Sequence, residues 1–437
     1  PKPQNPTRVI INMYTKAIRR EALACWGFKK SILSHFLRYQ FPLEASSPQI
    51  VTKFPSGPAH QKAIEEAEAT HAFDQHFELQ RFVNLKQSKG NYFVDVDGNR
   101  VLDLNHPLAL GYNHDSLINV RDSEDYDRFL AGKTDVSSMP PHDYADMLRE
   151  KVMPVAPTGM KQVFFADGST TSANETALSV ALFHYAMSHK RDYKSLSVLG
   201  FEKGSHGQSI ATLSCSDREV NTGNLPLYDW PIAPMPKFKY PFAEHEHENR
   251  AEEERCLKAT ADIIQSRRAE NKDVGAIIIE PITAFEGHFA TPMFYKNLRK
   301  LAKAEGIPFV VDETKTGVGA TGKMWGHEHW YLQDATDGGC PDIVTFGGRA
   351  GISGFYSTLQ YKLHPLCTSF AQDVDMVKLM NYHATWSYMN RKRLLEKVVD
   401  TSTFLKIELG NIARDTGIIK DVRGYGNFLA FDSATRN

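Results

Sequence analysis

The stretch IPFVVDETKTGVGATGKMWGHEHWYLQDATDGGCPDIVTFGGRAGISGF, Ile307 to Phe355, contains two short apolar runs, IPFVVDE (307–313) and DIVTFG (342–347), each ending at a polar or glycine turn. Short apolar runs bounded by turn signals read as strands buried on both faces. Working outward, the same pattern recurs at QVFFADG (162–168), SLSVLGF (195–201) and VGAIIIE (274–280), with helical stretches between. Such repetition predicts an α/β fold, a mostly parallel sheet covered by helices on both faces. Ligand chemistry in such a sheet gathers at the carboxyl ends of the strands. Upstream, NYFVDVDGNRVLDL (91–104) alternates apolar and polar residues around Asp97-Gly98 and predicts a hairpin. A Pro/Ser/Gly-punctuated linker (46–60) precedes it, leading into a helix near Gln61 to Phe82.

With 437 residues, 41% of them hydrophobic and 24% charged, the chain is long enough for two or three domains. A formal net charge of −1 argues against a general nucleic-acid role. No apolar run approaches the roughly 18 residues of a transmembrane segment. The cysteines Cys25, Cys215, Cys256, Cys340 and Cys367 lack CxxC or metal-ligand spacing, which predicts no metal site and a reducing compartment.

Charge is uneven. Residues 1 to 40 carry eight Lys/Arg against the single acid Glu21, while Ile11, Tyr14, Ile18, Ala22 and Cys25 recur at helical spacing. A basic amphipathic segment of this kind reads as mitochondrial targeting. It could serve as an arm (1–45) contacting a partner protein or an anionic membrane surface, or fold onto the body of its own chain.

Beyond these local patterns the chain resembles the 4-aminobutyrate aminotransferase family from about residue 49 to 437. Carrying the resemblance are GNYFVDVDGNRVLDL (Gly90 to Leu104), APTGM (Ala156 to Met160), YDWPIAPMPKFKYP (Tyr228 to Pro241), TGKMWGHEHW (Thr321 to Trp330) and VRGYGNFLAFD (Val422 to Asp432). The resemblance implies a pyridoxal-phosphate aminotransferase of fold type I: a large cofactor domain, and a smaller α+β domain built from both ends of the chain. The expected divisions are the arm over 1–48, the first part of the small domain over 49–105, the large domain over 106–365 and its C-terminal part over 366–437, shorter than in the family.

By the same resemblance Asp312 would pair with the cofactor's pyridine nitrogen and Glu280 would line the pocket; both could equally be strand-end turn carboxylates. Ser169, Thr170 and Thr171 precede a helix, where hydroxyls and free N–H groups suit a phosphate, though Ser/Thr there can be a plain N-cap. His206 matches the family, and Thr385 in HATWSY would reach a neighbouring subunit's phosphate, implying a homodimer or heterodimer.

Against these stand the departures. Arg349 occupies the position of the lysine that forms the cofactor imine; a guanidinium stays protonated and is a poor nucleophile. Ser205 replaces the aromatic that would stack on the ring, and Gln208 an arginine that would grip a substrate carboxylate. Where the family has glutamine stands Lys315, which could act as a surrogate imine former or simply pair with Asp312 or Glu280. Three readings follow. The first is a catalytically inactive relative serving as a structural subunit of a mitochondrial assembly, in the matrix or on the matrix face of the inner membrane. The second is an active enzyme converting 4-aminobutyrate and 2-oxoglutarate to succinate semialdehyde and glutamate. The third is a module that binds pyridoxal phosphate noncovalently.

Overall fold

The computed structural model describes residues 44–53, 57–68, 81–105, 108–132, 136, 138–166, 169–217, 225–332, 339–362, 364 and 374–434. Most of the basic arm, residues 1–43, and the continuation of the expected helix over 69–80 lie outside the described residues.

The described residues fall into two compact units, one within 1–106 together with 110–115, the other within 107–109 together with 116–437. In the first, the expected hairpin forms from β1 (Tyr92–Val94) and β2 (Arg100–Leu102), with Phe93 opposite Val101. Its turn is shaped by Asp95, whose Oδ1 accepts from the N–H groups of Asp97 (3.0 Å) and Asn99 (2.8 Å). Gly98 adopts φ +85° there, a conformation open to glycine at little cost. Asp97 in turn reaches helix α1 (Pro58–Glu68). Its carboxylate accepts from the N–H groups of Gly57 (3.0 Å), Ala59 (2.7 Å) and His60 (3.2 Å), which satisfies amide donors that the first turn of a helix leaves open.

In the second unit a seven-stranded sheet comprises β3 (Gln162–Phe165), β4 (Ser197–Phe201), β5 (Ile232–Ala233), β6 (Val274–Ile279), β7 (Phe309–Asp312), β8 (Ile343–Phe346) and β9 (Gly354–Ser357), in the order β3-β9-β8-β7-β6-β4-β5. The five apolar runs read from the sequence are β3, β4, β6, β7 and β8. Pairing is parallel from β5 through β8, and only β9 runs against its neighbours β3 and β8. Every residue of β4, β6, β7, β8 and β9 is buried, as expected of strands covered on both faces. Helix α2 (Thr170–His189) packs along β6 to β9; α3 (Glu246–Ala269) lies against β5 and β6, and α4 (Pro292–Ala304) against β7. Arg299 of α4 clamps Asp342 at the start of β8 with two bonds of 2.8 and 2.9 Å, and Asp342 also accepts from the Phe309 N–H at 2.8 Å. That triangle ties helix, β7 and β8 together in the interior.

Helices α5 (Met376–Arg391) and α6 (Leu394–Thr416) precede a second hairpin, β10 (Ile419–Tyr425) and β11 (Phe428–Ser433). Its tip lies so close to the Thr321 backbone that a Cβ on Gly426 would come within 2.3 Å of it. Strands β5, β9 and β10 were not legible as apolar runs: β5 has two residues, β9 follows a glycine-rich turn, and β10 carries Lys420, Asp421 and Arg423.

Candidate active site

The strand ends of the second unit bring most of the singled-out residues together. Asp312, the last residue of β7, is 1% exposed. Its Oδ2 accepts from His206 Nδ1 at 2.8 Å and Asn174 Nδ2 at 2.9 Å; its Oδ1 accepts from the Thr314 N–H at 2.9 Å and Thr314 Oγ1 at 2.6 Å. The orientation of Asn174 is fixed by its neighbours, because Thr345 donates to its carbonyl oxygen at 2.6 Å and its Nδ2 also donates to the His206 carbonyl at 2.7 Å. Burial pushes the Asp312 carboxyl upward, but the His206 hydrogen bond and the nearby Lys315 charge outweigh it and hold the group down at about 2. An ionised carboxylate only accepts, so Nδ1 of His206 carries the proton. His206 Nε2 is buried with no hydrogen-bond partner among the described residues.

Glu280 follows β6 and is 3% exposed. Its Oε2 accepts from the N–H groups of Ser205 (3.0 Å) and Ala284 (3.3 Å), and its Oε1 from Lys315 Nζ at 2.8 Å. The same ammonium donates to the Ser205 carbonyl oxygen. Burial opposes the charge of Lys315, yet Glu280 and then Asp312 raise its pKa above the ordinary value. Lys315 therefore stays protonated, bound to the turn carrying Ser205.

At the amino end of α2, Ser169 is the N-cap, its Oγ accepting from the Ser172 N–H at 3.5 Å. Thr170 begins the helix, and Thr171 Oγ1 accepts from the Gln208 N–H at 3.2 Å. Both the N-cap role and a phosphate role are open to this group; Gly168 lies outside the described residues. The turn after β8 presses on this helix end, since a Cβ on Gly347 would meet Thr170 Cγ2 at 2.5 Å. Gly348 (φ +46°) and Gly351 (φ +69°) shape that turn, which carries Arg349. The Arg349 carbonyl accepts from the Ala109 N–H at 3.1 Å, and Nε of its side chain is buried with no hydrogen-bond partner among the described residues.

Thr385 belongs to a different element from these residues. It lies within α5, is 6% exposed, and donates its hydroxyl to the Asn381 carbonyl of the preceding turn at 2.8 Å. Sequence reasoning missed Asn174, Thr314 and Thr345, the residues that orient Asp312. A signal existed for two of them: Thr314 sits two residues after Asp312, the spacing of an Asx turn, and Asn174 is a polar residue in the first turns of an apolar helix. Among the described residues no cluster of His, Cys, Asp and Glu is arranged to hold a metal ion, and no helix is long and apolar enough to cross a membrane.

Residues 74–437 match the Aminotransferase class-III family. The chain is 35% identical to a 4-aminobutyrate aminotransferase of Dictyostelium discoideum over 436 residues, covering 94% of this chain and 85% of that protein. It is 32% identical to the mitochondrial 4-aminobutyrate aminotransferase of Homo sapiens over 419 residues, covering 88% and 80%. In fold it is similar to a lysine aminotransferase from M. tuberculosis, with a TM-score of 0.72 at 22% identity, covering 84% of this chain and 85% of that one.

Proposed function

The chain belongs to the class-III aminotransferases, and from that membership we propose that it is a catalytically inactive member, related to 4-aminobutyrate aminotransferase and retained as a structural subunit of a mitochondrial assembly. The observation that carries this reading is the pair of cations at the strand ends. Arg349 stands in the turn after β8, where the family resemblance puts the imine-forming lysine, while Lys315, the candidate surrogate amine, is bound to Glu280 and Ser205.

Pyridoxal phosphate is the family's cofactor, and bound, it supplies an aldehyde and an electron-withdrawing ring. The residues here have the chemistry to hold it noncovalently. The hydroxyl and N–H groups at Ser169, Thr170 and Thr171 would receive the phosphate, and the ionised Asp312, oriented by His206 and Asn174, would face the ring nitrogen. Covalent capture and proton relay are what the chain lacks. Burial lowers the pKa of Arg349 from its ordinary value, but a guanidinium starts above about 12 and remains charged near neutral pH, so it neither attacks a carbonyl nor accepts a proton. Positioned proton transfer is worth about 10²- to 10⁴-fold in rate. Ser205 offers no ring to stack, and Gln208 no guanidinium for a substrate carboxylate.

The basic segment over 1–40 and the human, rat and nematode relatives named as mitochondrial support a mitochondrial location. The family's habit of pairing supports a dimer.

The competing reading is an active enzyme converting 4-aminobutyrate and 2-oxoglutarate to succinate semialdehyde and glutamate, supported by the 35% identity to a named 4-aminobutyrate aminotransferase. A coupled assay on the purified, cofactor-saturated full chain separates the two. No succinate semialdehyde above background is expected, and turnover comparable to an ordinary aminotransferase would establish the active reading instead. The structural role is tested by recovery of the tagged protein from mitochondria in a stable complex; recovery as a free dimer alone would count against it.

A further inference from the structure

Glu280, one of the two carboxylates against which a pyridoxal phosphate would be set, already carries an internal cation. It holds three hydrogen bonds, from Ser205, Ala284 and Lys315. The Lys315 ammonium closes the arrangement by joining Glu280 to the Ser205 carbonyl, in the turn where the resembled family carries its stacking aromatic.

We propose that Lys315 is an internal ligand of this pocket, an autoinhibitory contact whose ammonium cross-links the Ser205 turn to Glu280 and competes with pyridoxal phosphate for the same space. The proposal rests on the reading of an inactive member but makes a separate claim, about occupancy rather than turnover. Its physical basis is the partly buried ion pair. Lys315 keeps 36% of its side chain exposed while that of Glu280 keeps 2%, so the lysine is the partner that faces solvent and the glutamate the enclosed one. A cofactor entering beside Ser205 would have to displace the ammonium and leave a buried carboxylate without its counterion. Breaking one charge-assisted hydrogen bond of that kind corresponds to a roughly ten- to hundredfold loss of apparent affinity. Ser205 and Lys315 thus act as one change: the small side chain leaves room beside its own carbonyl, and the long one uses it.

The test is equilibrium dialysis of the purified full chain against pyridoxamine 5′-phosphate, which has no aldehyde and so cannot react with surface lysines. The wild type is compared with Lys315→Gln and with the double variant E280Q/K315M. The double variant leaves no stranded buried charge and serves if the single one folds poorly. Both are expected to bind about tenfold or more tightly than the wild type. Equal affinities in wild type and variants overturn the proposal. So does a pyridoxyl adduct on Lys315 after borohydride reduction of wild type saturated with pyridoxal phosphate, because the lysine would then be the cofactor's attachment point. Failure of the inactive reading is recorded separately, by turnover in the coupled assay.

Discussion

The Lys315 ammonium lies 2.8 Å from Oε1 of Glu280, joining the turn after β7 to the end of β6. Its removal strands a carboxylate that is 3% exposed. Lys315→Met is expected to lower unfolding stability by about 1–2 kcal/mol; a fully buried pair would cost about 3–5 kcal/mol, but this lysine is partly exposed to water. Urea unfolding of the single variant beside E280Q/K315M checks the cause, because the double variant should recover most of the loss. A single variant as stable as wild type would remove the ion pair from the account.

On the inactive reading, placing the family's lysine at position 349 is not expected to give turnover. In Arg349→Lys the new amine would still meet Ser205 in place of the stacking ring, Gln208 in place of the carboxylate clamp, and Lys315 bound across the Glu280 side of the pocket. The coupled assay is expected to stay at background for Arg349→Lys alone. Near-family turnover from this single change would mean that the other departures carry no weight.

The Asp312 carboxyl has its folded pKa depressed to about 2, against roughly 3.9 in an unfolded chain. A depressed carboxyl contributes stability that is fully present above the unfolded value and is lost as pH falls through the folded one. The stability difference between wild type and Asp312→Asn should therefore be constant from about pH 7 to pH 5 and shrink between about pH 4 and pH 2. Chemical unfolding at several pH values measures it, and a difference that grows on acidification would contradict the sign.

Arg299 and Asp342 form a two-bond clamp between α4 and the start of β8, with Asp342 also receiving the Phe309 N–H. Arg299→Ala leaves a largely buried carboxylate with one donor. It should cost about 3–5 kcal/mol, seen as a fall in the urea midpoint with little change in slope.

Asp97 accepts three N–H groups at the start of α1. Asp97→Ala should cost about 1–2 kcal/mol, within the range of lost helix caps. Faster amide hydrogen exchange at Ala59 and His60 is the local sign, and unchanged exchange at both would show that the cap contributes nothing.

The sequence by itself determined the sheet's buried strands and the chemical character of the side chains singled out for the pocket. The runs at 162–168, 195–201, 274–280, 307–313 and 342–347 are continuous in apolar residues because a strand covered on both faces has no solvent side to mark. Arg349, Ser205 and Gln208 could be read without coordinates, because nucleophilicity, stacking and charge are properties of the side chain. What only the tertiary structure decided is how the remaining polar groups combine. Lys315 and Glu280 are 35 residues apart, and nothing local indicates which acid the lysine reaches; the parallel pairing of β6 with β7 does, by placing both strand ends side by side. Asn174 and His206 converge on Asp312 from 138 and 106 residues away, and Thr385, matched by local pattern alone, lies within a helix and bonds its own backbone. Strands β9 and β10 follow the same logic: β9 is declared by its place between β3 and β8, and the polar β10 by its pairing with β11, because these partners satisfy their backbone hydrogen bonds.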